Sequence, residues 1–536
     1  MVSKRCGSEG RIKKVKKLLI GFLFMGLPLA MGQQTDPVKT DEGVLSGWVL
    51  NEETGLAVFR GVRYAEPPMK DMRWRPPQPV KPWNGVKFCQ LFAPVAPQKL
   101  GKGVVQHLSE DCLFLNIWTT RVNQPDTKLP VMVWIHGGGL SAGWSHKPFY
   151  EGSAFAERGV VLISINYRLG ALGFLAHPAL SAESENGVSG NYGILDQIEA
   201  LKWVRHNIAA FGGDPDNVTL FGESAGGTSV AVLCSSPLAK GLFHKAILQS
   251  PWLSGFINNL AKPNFAHLKH AMKNIRSAED IGVDWAKAHT DKIDAEGLAA
   301  LRTLPFKDVL ATVAGYQTRP TIDNWVLPGH PQLVFSEGKQ ANVPVIIGTT
   351  KDEGNFFRNF VRFKDREAFG KMLNDYYGES GDSVLKLYPG KTEQEIKSAG
   401  SVFVTDSWFL QPARQMLDGM TQLTSPAFQY RFSKANSKNS SLGAPHAIEL
   451  RYVFNTLTEK PVNPKSQKLA DAVTDYWVQF AKTGDPNKKG LPNWPRYTDK
   501  KHAFIDLNDE ITTGVNLRQE ACDVLDAATA NMYSID

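Results

Sequence analysis

Val218-Thr219-Leu220-Phe221-Gly222-Glu223-Ser224-Ala225-Gly226-Gly227 is the stretch that decides the fold. A strand-forming run leads into the pattern G-x-S-x-G, and small residues with helical character follow. The pattern alone is weak, because it recurs by chance. Its context is specific: where a strand turns sharply into a helix, the serine's backbone is strained and only glycine neighbours avoid collision. Such a turn exposes the hydroxyl at a helix N-terminus, where backbone N–H groups stabilise an anion. Ser224 is therefore the candidate nucleophile, and this context outweighs an incidental serine in a buried turn.

Upstream, the apolar strand Val131–Ile135 ends at His136-Gly137-Gly138-Gly139. Glycines there let the chain aim N–H groups at a substrate carbonyl oxygen. Gly138 and Gly139, with Ala225 from the serine turn, are the expected oxyanion donors. A phosphate loop is excluded, since no Lys follows and the spacing is not G-x-G-x-x-G. His136 is expected to orient the loop. Val160–Ile165 is another apolar strand, and Ile194, Ile198, Leu201, Val204 and Ile208, spaced 4, 3, 3 and 4 apart, mark a helix stopped at Phe211-Gly212-Gly213. Ala246–Gln249, Val343–Gly348 and Phe428–Phe432 read as further strands. Uniformly apolar strands alternating with helices imply an α/β protein, with a mostly parallel sheet covered on both faces. Residues 253–322 and 358–414 read as helix-rich excursions over that sheet, and residues 33–536 as a single domain.

The chain has 536 residues and a formal charge of +7, which invites a polyanion partner. Residues 1–32, however, hold seven of the Lys and Arg and one acid, and the rest carries 53 basic against 52 acidic side chains. That near-neutral body excludes a nucleic-acid partner. The basic run Arg11–Lys17, the apolar run Leu18–Leu29 and the small-residue exit Ala30-Met31-Gly32 make a secretory signal peptide. The apolar run is short for a span of about 20 residues, and Pro28 interrupts it. The mature chain is expected to be secreted or periplasmic, without a membrane span. No Cys stands at the cleavage site to carry a lipid anchor. Processing leaves Cys89, Cys112, Cys234 and Cys522. No cysteine or histidine cluster has zinc spacing, so no metal is expected. Cys234, in an apolar helical run, reads as a buried free thiol.

A nucleophilic serine on such a sheet needs an acid and then a histidine, in that chain order. Val343–Gly348 ends in Thr349-Thr350-Lys351-Asp352-Glu353-Gly354, where Asp352 and Glu353 are adjoining candidates. After Phe428–Phe432, read as the last core strand, comes Gly443-Ala444-Pro445-His446. His446, one of 12 histidines, is the favoured base by that position.

Motifs spread along the chain carry a resemblance. Phe59-Arg60-Gly61-Val62-Arg63-Tyr64-Ala65-Glu66-Pro67-Pro68, Arg75-Pro76-Pro77 and Ser109-Glu110-Asp111-Cys112-Leu113-Phe114-Leu115-Asn116 lie near the start. Gly190-Asn191-Tyr192-Gly193-Ile194-Leu195-Asp196-Gln197 and Phe211-Gly212-Gly213-Asp214-Pro215 precede the serine turn. Together they resemble the type-B carboxylesterase/cholinesterase group of the α/β-hydrolases over nearly all the mature chain. The resemblance implies an α/β-hydrolase fold with large helical excursions, and it places the acid at Glu353 and the base at His446. It also implies a Cys89–Cys112 disulfide and a supporting hydrogen bond to the acid from Ser250. Pro251 stands where the family usually has Gly. Cys234 and Cys522 match no further family disulfide.

The implied chemistry is cofactor-free, two-step acyl transfer on a small-molecule ester by Ser224, Glu353 and His446. A broad-spectrum secreted carboxylesterase is the leading expectation; a lipase or a specialised polyester or toxin esterase would share the same catalytic residues. A non-catalytic adhesion homologue is disfavoured by the intact set. Cholinesterases hold a quaternary ammonium on a Trp in the loop between the first disulfide's cysteines. Here Gln90–Asp111 contains no Trp or Tyr, and Phe92 is its only aromatic residue. Little preference for choline esters is expected, unless Trp144 or Trp252 supplies a ring.

Overall fold

Strands whose every residue is apolar must bury both faces, and the central strand does so residue by residue. In Leu129–Ile135, Val131, Val133 and Ile135 enter one core while Met132 and Trp134 enter another on the opposite side. The same division recurs at Ala246 and Leu248 against Ile247, and at Val345 and Ile347 against Ile346. The computed structural model describes residues 33–530 except 255, 258–259, 262–264, 273–275, 312, 314–315, 317 and 359–362. The expected signal peptide, residues 1–32, lies outside the described residues.

Among the described residues one sheet has 11 strands. In chain order they are β1 (Trp48–Asn51), β2 (Leu56–Arg63), β3 (Phe114–Thr119), β4 (Leu129–Ile135), β5 (Val161–Ile165), β6 (Gly213–Glu223), β7 (Lys245–Gln249), β8 (Val345–Thr350), β9 (Ala427–Phe432), β10 (Ala503–Leu507) and β11 (Thr512–Val515). Their spatial order is β11-β10-β9-β8-β7-β6-β4-β5-β3-β2-β1. From β10 to β5 every neighbouring pair is parallel; β1, β2, β3 and β11 join antiparallel. Both apolar-strand readings around the serine turn fall on observed strands, within a few residues at the ends.

The antiparallel edges were not read from sequence: Arg60 and Gly61 interrupt the apolar run of β2, Asn116 that of β3, and β11 is mostly Thr and Gly. One reading needs correction. Phe428–Phe432 is not the last core strand: β10 pairs parallel with it, and β11 follows. Asp506 interrupts the apolar pattern of β10, and it is held there by Arg431 of β9 at 2.5 Å.

Six helices matter for the site: α1 (Tyr192–Asn207), α2 (Ala225–Ser235), α3 (Arg366–Tyr377), α4 (Glu393–Val404), α5 (Gln411–Met420) and α6 (Pro464–Thr483). Helices α1 and α2 share the first core with the sheet, while Tyr476, Trp477 and Phe480 of α6 pack into the second. The expected excursion after β8 is helical, and α4 passes into α5 through a π-helical segment, Thr405–Leu410. Phe369, Tyr388, Phe403 and Trp408 give this excursion a core of its own.

Cys89 and Cys112, paired in a disulfide by the resemblance, are free thiols here, as are Cys234 and Cys522. The expected bond is not formed in this structure. Both sit in the first core as small apolar groups, and burial raises their pKa, that of Cys89 to about 12, so neither is a ready thiolate.

One buried ion pair ties the sheet to its helices. Arg168, just beyond β5, donates to Asp196 of α1 through Nε at 2.8 Å and Nη2 at 2.7 Å, and both side chains are nearly inaccessible. The Arg168 backbone N–H also donates to Asp196, and Nη1 donates to the Arg75 carbonyl. Removing one partner strands a buried charge. Asp196→Ala is expected to lower unfolding stability by about 3–5 kcal/mol in urea titrations; a loss below about 1 kcal/mol would contradict this.

Candidate active site

Strand β6 ends at Glu223 and helix α2 begins at Ala225. Between them Ser224 is held at φ 57° and ψ −122°, a conformation that side chains rarely adopt. Packing imposes it. The Ser224 N–H donates to the Gln249 carbonyl of β7 at 2.9 Å, and a Cβ on Gly226 would fall 2.0 Å from the Ile135 carbonyl oxygen of β4. The first turn of α2 thus lies directly against the end of β4, and no larger residue fits. Ser224 keeps 9% of its surface and opens into a cavity of about 340 Å³.

The glycine loop after β4 forms part of the cavity wall. Gly138 adopts φ 121° and Gly139 φ 62°, and a Cβ on Gly138 would meet the Ala142 carbonyl oxygen at 2.0 Å. Neither glycine N–H donates to an acceptor among the described residues. Ala225, as the first residue of α2, has an N–H with no partner in its own helix. The three expected donors therefore bracket Ser224, one pair from the β4 loop and one from the helix. His136 is buried, its Nδ1 lies 2.9 Å from the Gly137 carbonyl and its ring stacks on Tyr167. Burial pulls its pKa down to about 3, so it stays neutral and braces the loop.

The two adjoining carboxylates after β8 have different partners. Glu353 is fully buried, and its Oε1 accepts from the Ser250 hydroxyl at 2.6 Å and the Thr350 N–H at 2.7 Å. Its Oε2 lies 2.5 Å from Nδ1 of His446. Asp352 instead accepts from the Ala444 N–H at 2.8 Å and so fastens the loop that carries His446. Pro251 in place of the usual Gly does not prevent the Ser250 contact.

The other ring nitrogen, Nε2 of His446, faces Glu223 Oε1 at 3.0 Å rather than forming a hydrogen bond to the Ser224 hydroxyl. Burial disfavours the imidazolium, but Glu223 and Glu353 outweigh that and raise the His446 pKa to about 9. A third carboxylate, Glu449, is buried nearby and accepts from Gln249 at 3.1 Å. Desolvation, then the charges of Glu223 and Glu353, raise its pKa to about 8. Desolvation likewise raises Glu223, against the pull of His446.

Sequence reasoning missed Glu223 and Glu449 as members of the site. Glu223 was visible only as the variable position of G-x-S-x-G, and Glu449 lies three residues past His446 in an unremarkable run. It also missed Phe356, Phe357 and Trp408, which line the cavity from the excursion after β8. Trp252, named as a possible ring, does line the cavity. Trp144 does not; the Nζ of Lys147 lies over it at 5.2 Å. Phe92 stacks on His146 and is outside the cavity lining.

A serine on a tight turn, a buried histidine–glutamate pair and unpaired N–H groups in one apolar cavity form a set capable of acyl transfer. A family model for the carboxylesterase family matches residues 34–525. The chain is 34% identical to fumonisin B1 esterase of Sphingopyxis macrogoltabida, over 92% of this chain and 91% of that protein. It is 35% identical to para-nitrobenzyl esterase of Bacillus subtilis, over 89% of this chain and 95% of the relative. Among solved structures, a carboxylesterase of Geobacillus stearothermophilus superposes with a TM-score of 0.77 at 31% identity, covering 91% of this chain and 100% of that one.

The different partners of Asp352 and Glu353 make a direct test. Glu353→Gln is expected to slow covalent labelling of Ser224 by a fluorophosphonate about 10³-fold or more, because the ring loses its tautomer and its counter-charge. Asp352→Asn keeps an acceptor for Ala444, and its loss is expected to stay within about tenfold. Equal losses would reverse the assignment.

Proposed function

The chain belongs to the carboxylesterase family and is a carboxylic ester hydrolase; on that premise we propose that it is an exported serine carboxylesterase working through an acyl-Ser224 intermediate. The observation that carries this reading is the 2.5 Å contact of buried Glu353 with His446, whose ring lines the same cavity as Ser224. Ser224 attacks the ester carbonyl while His446 takes its proton, and Glu353 holds the ring and stabilises its cation. The N–H groups of Gly138, Gly139 and Ala225 bind the oxyanion. The alcohol departs with the proton from His446, and water then attacks the acyl-enzyme by the same route. The mainly apolar and aromatic cavity walls suit the apolar groups of a small ester.

Proton transfer requires Nε2 of His446 to exchange its Glu223 neighbour for the Ser224 hydroxyl. Such contacts tighten when substrate binds. An active base must be neutral, and a pKa near 9 puts most of the imidazole in its protonated form at neutral pH. Activity is therefore expected to rise with pH through the His446 titration and to fall away below it. Glu449→Gln removes one carboxylate that favours the imidazolium. Its acid limb of kcat/KM is expected to shift down by about half to one pH unit; an upward shift would contradict the electrostatic assignment.

Ser224→Ala is expected to retain less than about 1% of wild-type turnover while folding normally. Titration with an organophosphate is expected to label wild type once per chain and the variant not at all. An unlabelled wild-type chain would favour the non-catalytic alternative. The basic and apolar runs of residues 1–32 support export. Sequencing of the exported protein is expected to begin near Gln33, and a start at Met1 would refute cleavage.

A further inference from the structure

Lys147 follows the glycine loop in the chain and lines the same cavity as Ser224. Its Nζ lies over three aromatic rings, Trp144 at 5.2 Å and Phe149 and Tyr150 each at 5.8 Å. Among the described residues no carboxylate comes within 4.0 Å of this ammonium, and it donates to no acceptor. Burial lowers its pKa from the ordinary lysine value, and the charge of Glu223 opposes that change.

The neighbouring acids are committed elsewhere. Glu223 faces His446 at 3.0 Å, Glu353 is closed in by His446 and Ser250, and Glu449 accepts from Gln249. A cation that is partly withdrawn from water and lacks a paired acid favours an anion brought in by a ligand. The aromatic faces stabilise the ammonium without neutralising it, and they stiffen its position. The same arrangement leaves Trp144 already covered by a cation.

Resting on the carboxylesterase reading of this cavity, we propose that Lys147 makes the enzyme selective for esters that also carry a free carboxylate near the scissile bond. The carboxylate pairs with Nζ while the ester carbonyl lies at Ser224. The acyl and the alcohol side are both open to it, so two substrate pairs are needed.

Ethyl hydrogen adipate against ethyl adipamate places the charge on the acyl side; 4-acetoxybutyrate against 4-acetoxybutanamide places it on the alcohol side. Each neutral amide matches its partner in shape, and acid release is followed at constant pH. Wild type is expected to prefer the anion at least about tenfold in kcat/KM in one pair, the scale of a charge-assisted hydrogen bond. Lys147→Met keeps the aliphatic stem and is expected to bring that ratio to about one, whereas Lys147→Arg keeps the charge and most of the ratio. Hydrolysis of the neutral esters with no preference in either pair overturns this inference and leaves the esterase reading standing. A preference that survives Lys147→Met overturns it too. Failure to hydrolyse any of the four esters counts against the esterase reading itself. The wild-type ratios need no variant, so the test stands even where Lys147→Met fails to fold.

Discussion

The close approach of α2 to the end of β4 is the constraint from which the rest follows. Gly226 lies so near the Ile135 carbonyl that a Cβ would sit at 2.0 Å, and Gly227 is similarly pressed against the Gln249 carbonyl. A bulkier residue at either point would lift α2 off the sheet. With α2 pressed down, Ser224 is forced to a positive φ and projects from the turn, and the loop after β4 must run past it. The strain is local and is held by ladder hydrogen bonds on both sides of β6, from β4 and β7. The position of Ser224 is therefore a consequence of sheet packing.

A second layer of order is electrostatic. Glu223, Glu353 and Glu449 converge around His446 in a desolvated region. Burial there raises the pKa of Glu223 and Glu449, while the charges of Glu223 and Glu353 favour a proton on His446. Each acid has a distinct mooring: Ser250 and Thr350 for Glu353, Gln249 for Glu449, the imidazole itself for Glu223. Moorings of this kind set ring orientation as well as charge. Lys147 is the positive counterweight on the cavity wall, outside the hydrogen-bonded cluster.

The substrate-facing walls come from another part of the chain. Phe356 and Phe357 stand three and four residues past Glu353, while Trp408 is presented from the π-helical turn between α4 and α5. A π-helical turn widens a helix and displaces its side chains from their regular stripe. Ser254 secures that turn by donating to the Ser407 carbonyl. In the α/β-hydrolase fold the sheet carries Ser224, Glu353 and His446 at its strand ends, and in this chain the excursion after β8 supplies half of the Phe, Tyr and Trp side chains that line the cavity around them, the rest being Phe149, Tyr150 and Trp252.

How much of this was legible beforehand follows the range of the forces involved. The apolar runs that became β4 to β9, the periodic helix α1 and the glycine-flanked serine are local signals, each carried by neighbouring residues, and they specified the parallel sheet and the nucleophile turn. The strand β10 was obscured by Asp506, whose burial makes sense only beside Arg431 of a strand about 75 residues away in the chain. Asp352 and Glu353 could not be separated from their own neighbourhood. Resemblance favoured Glu353, and the tertiary structure gave each its partner, the imidazole for Glu353 and the Ala444 N–H for Asp352. Likewise nothing near Glu449 or Lys147 in the chain distinguishes them from surface charges. The sequence by itself determined which segments are the central parallel strands β4 to β9, which serine is strained and which glycines must stay small, because those are properties of adjacent residues. Only the tertiary structure decided which acids crowd His446 and which lysine stands unpaired in the cavity, because desolvation and charge coupling depend on distances set by chain folding.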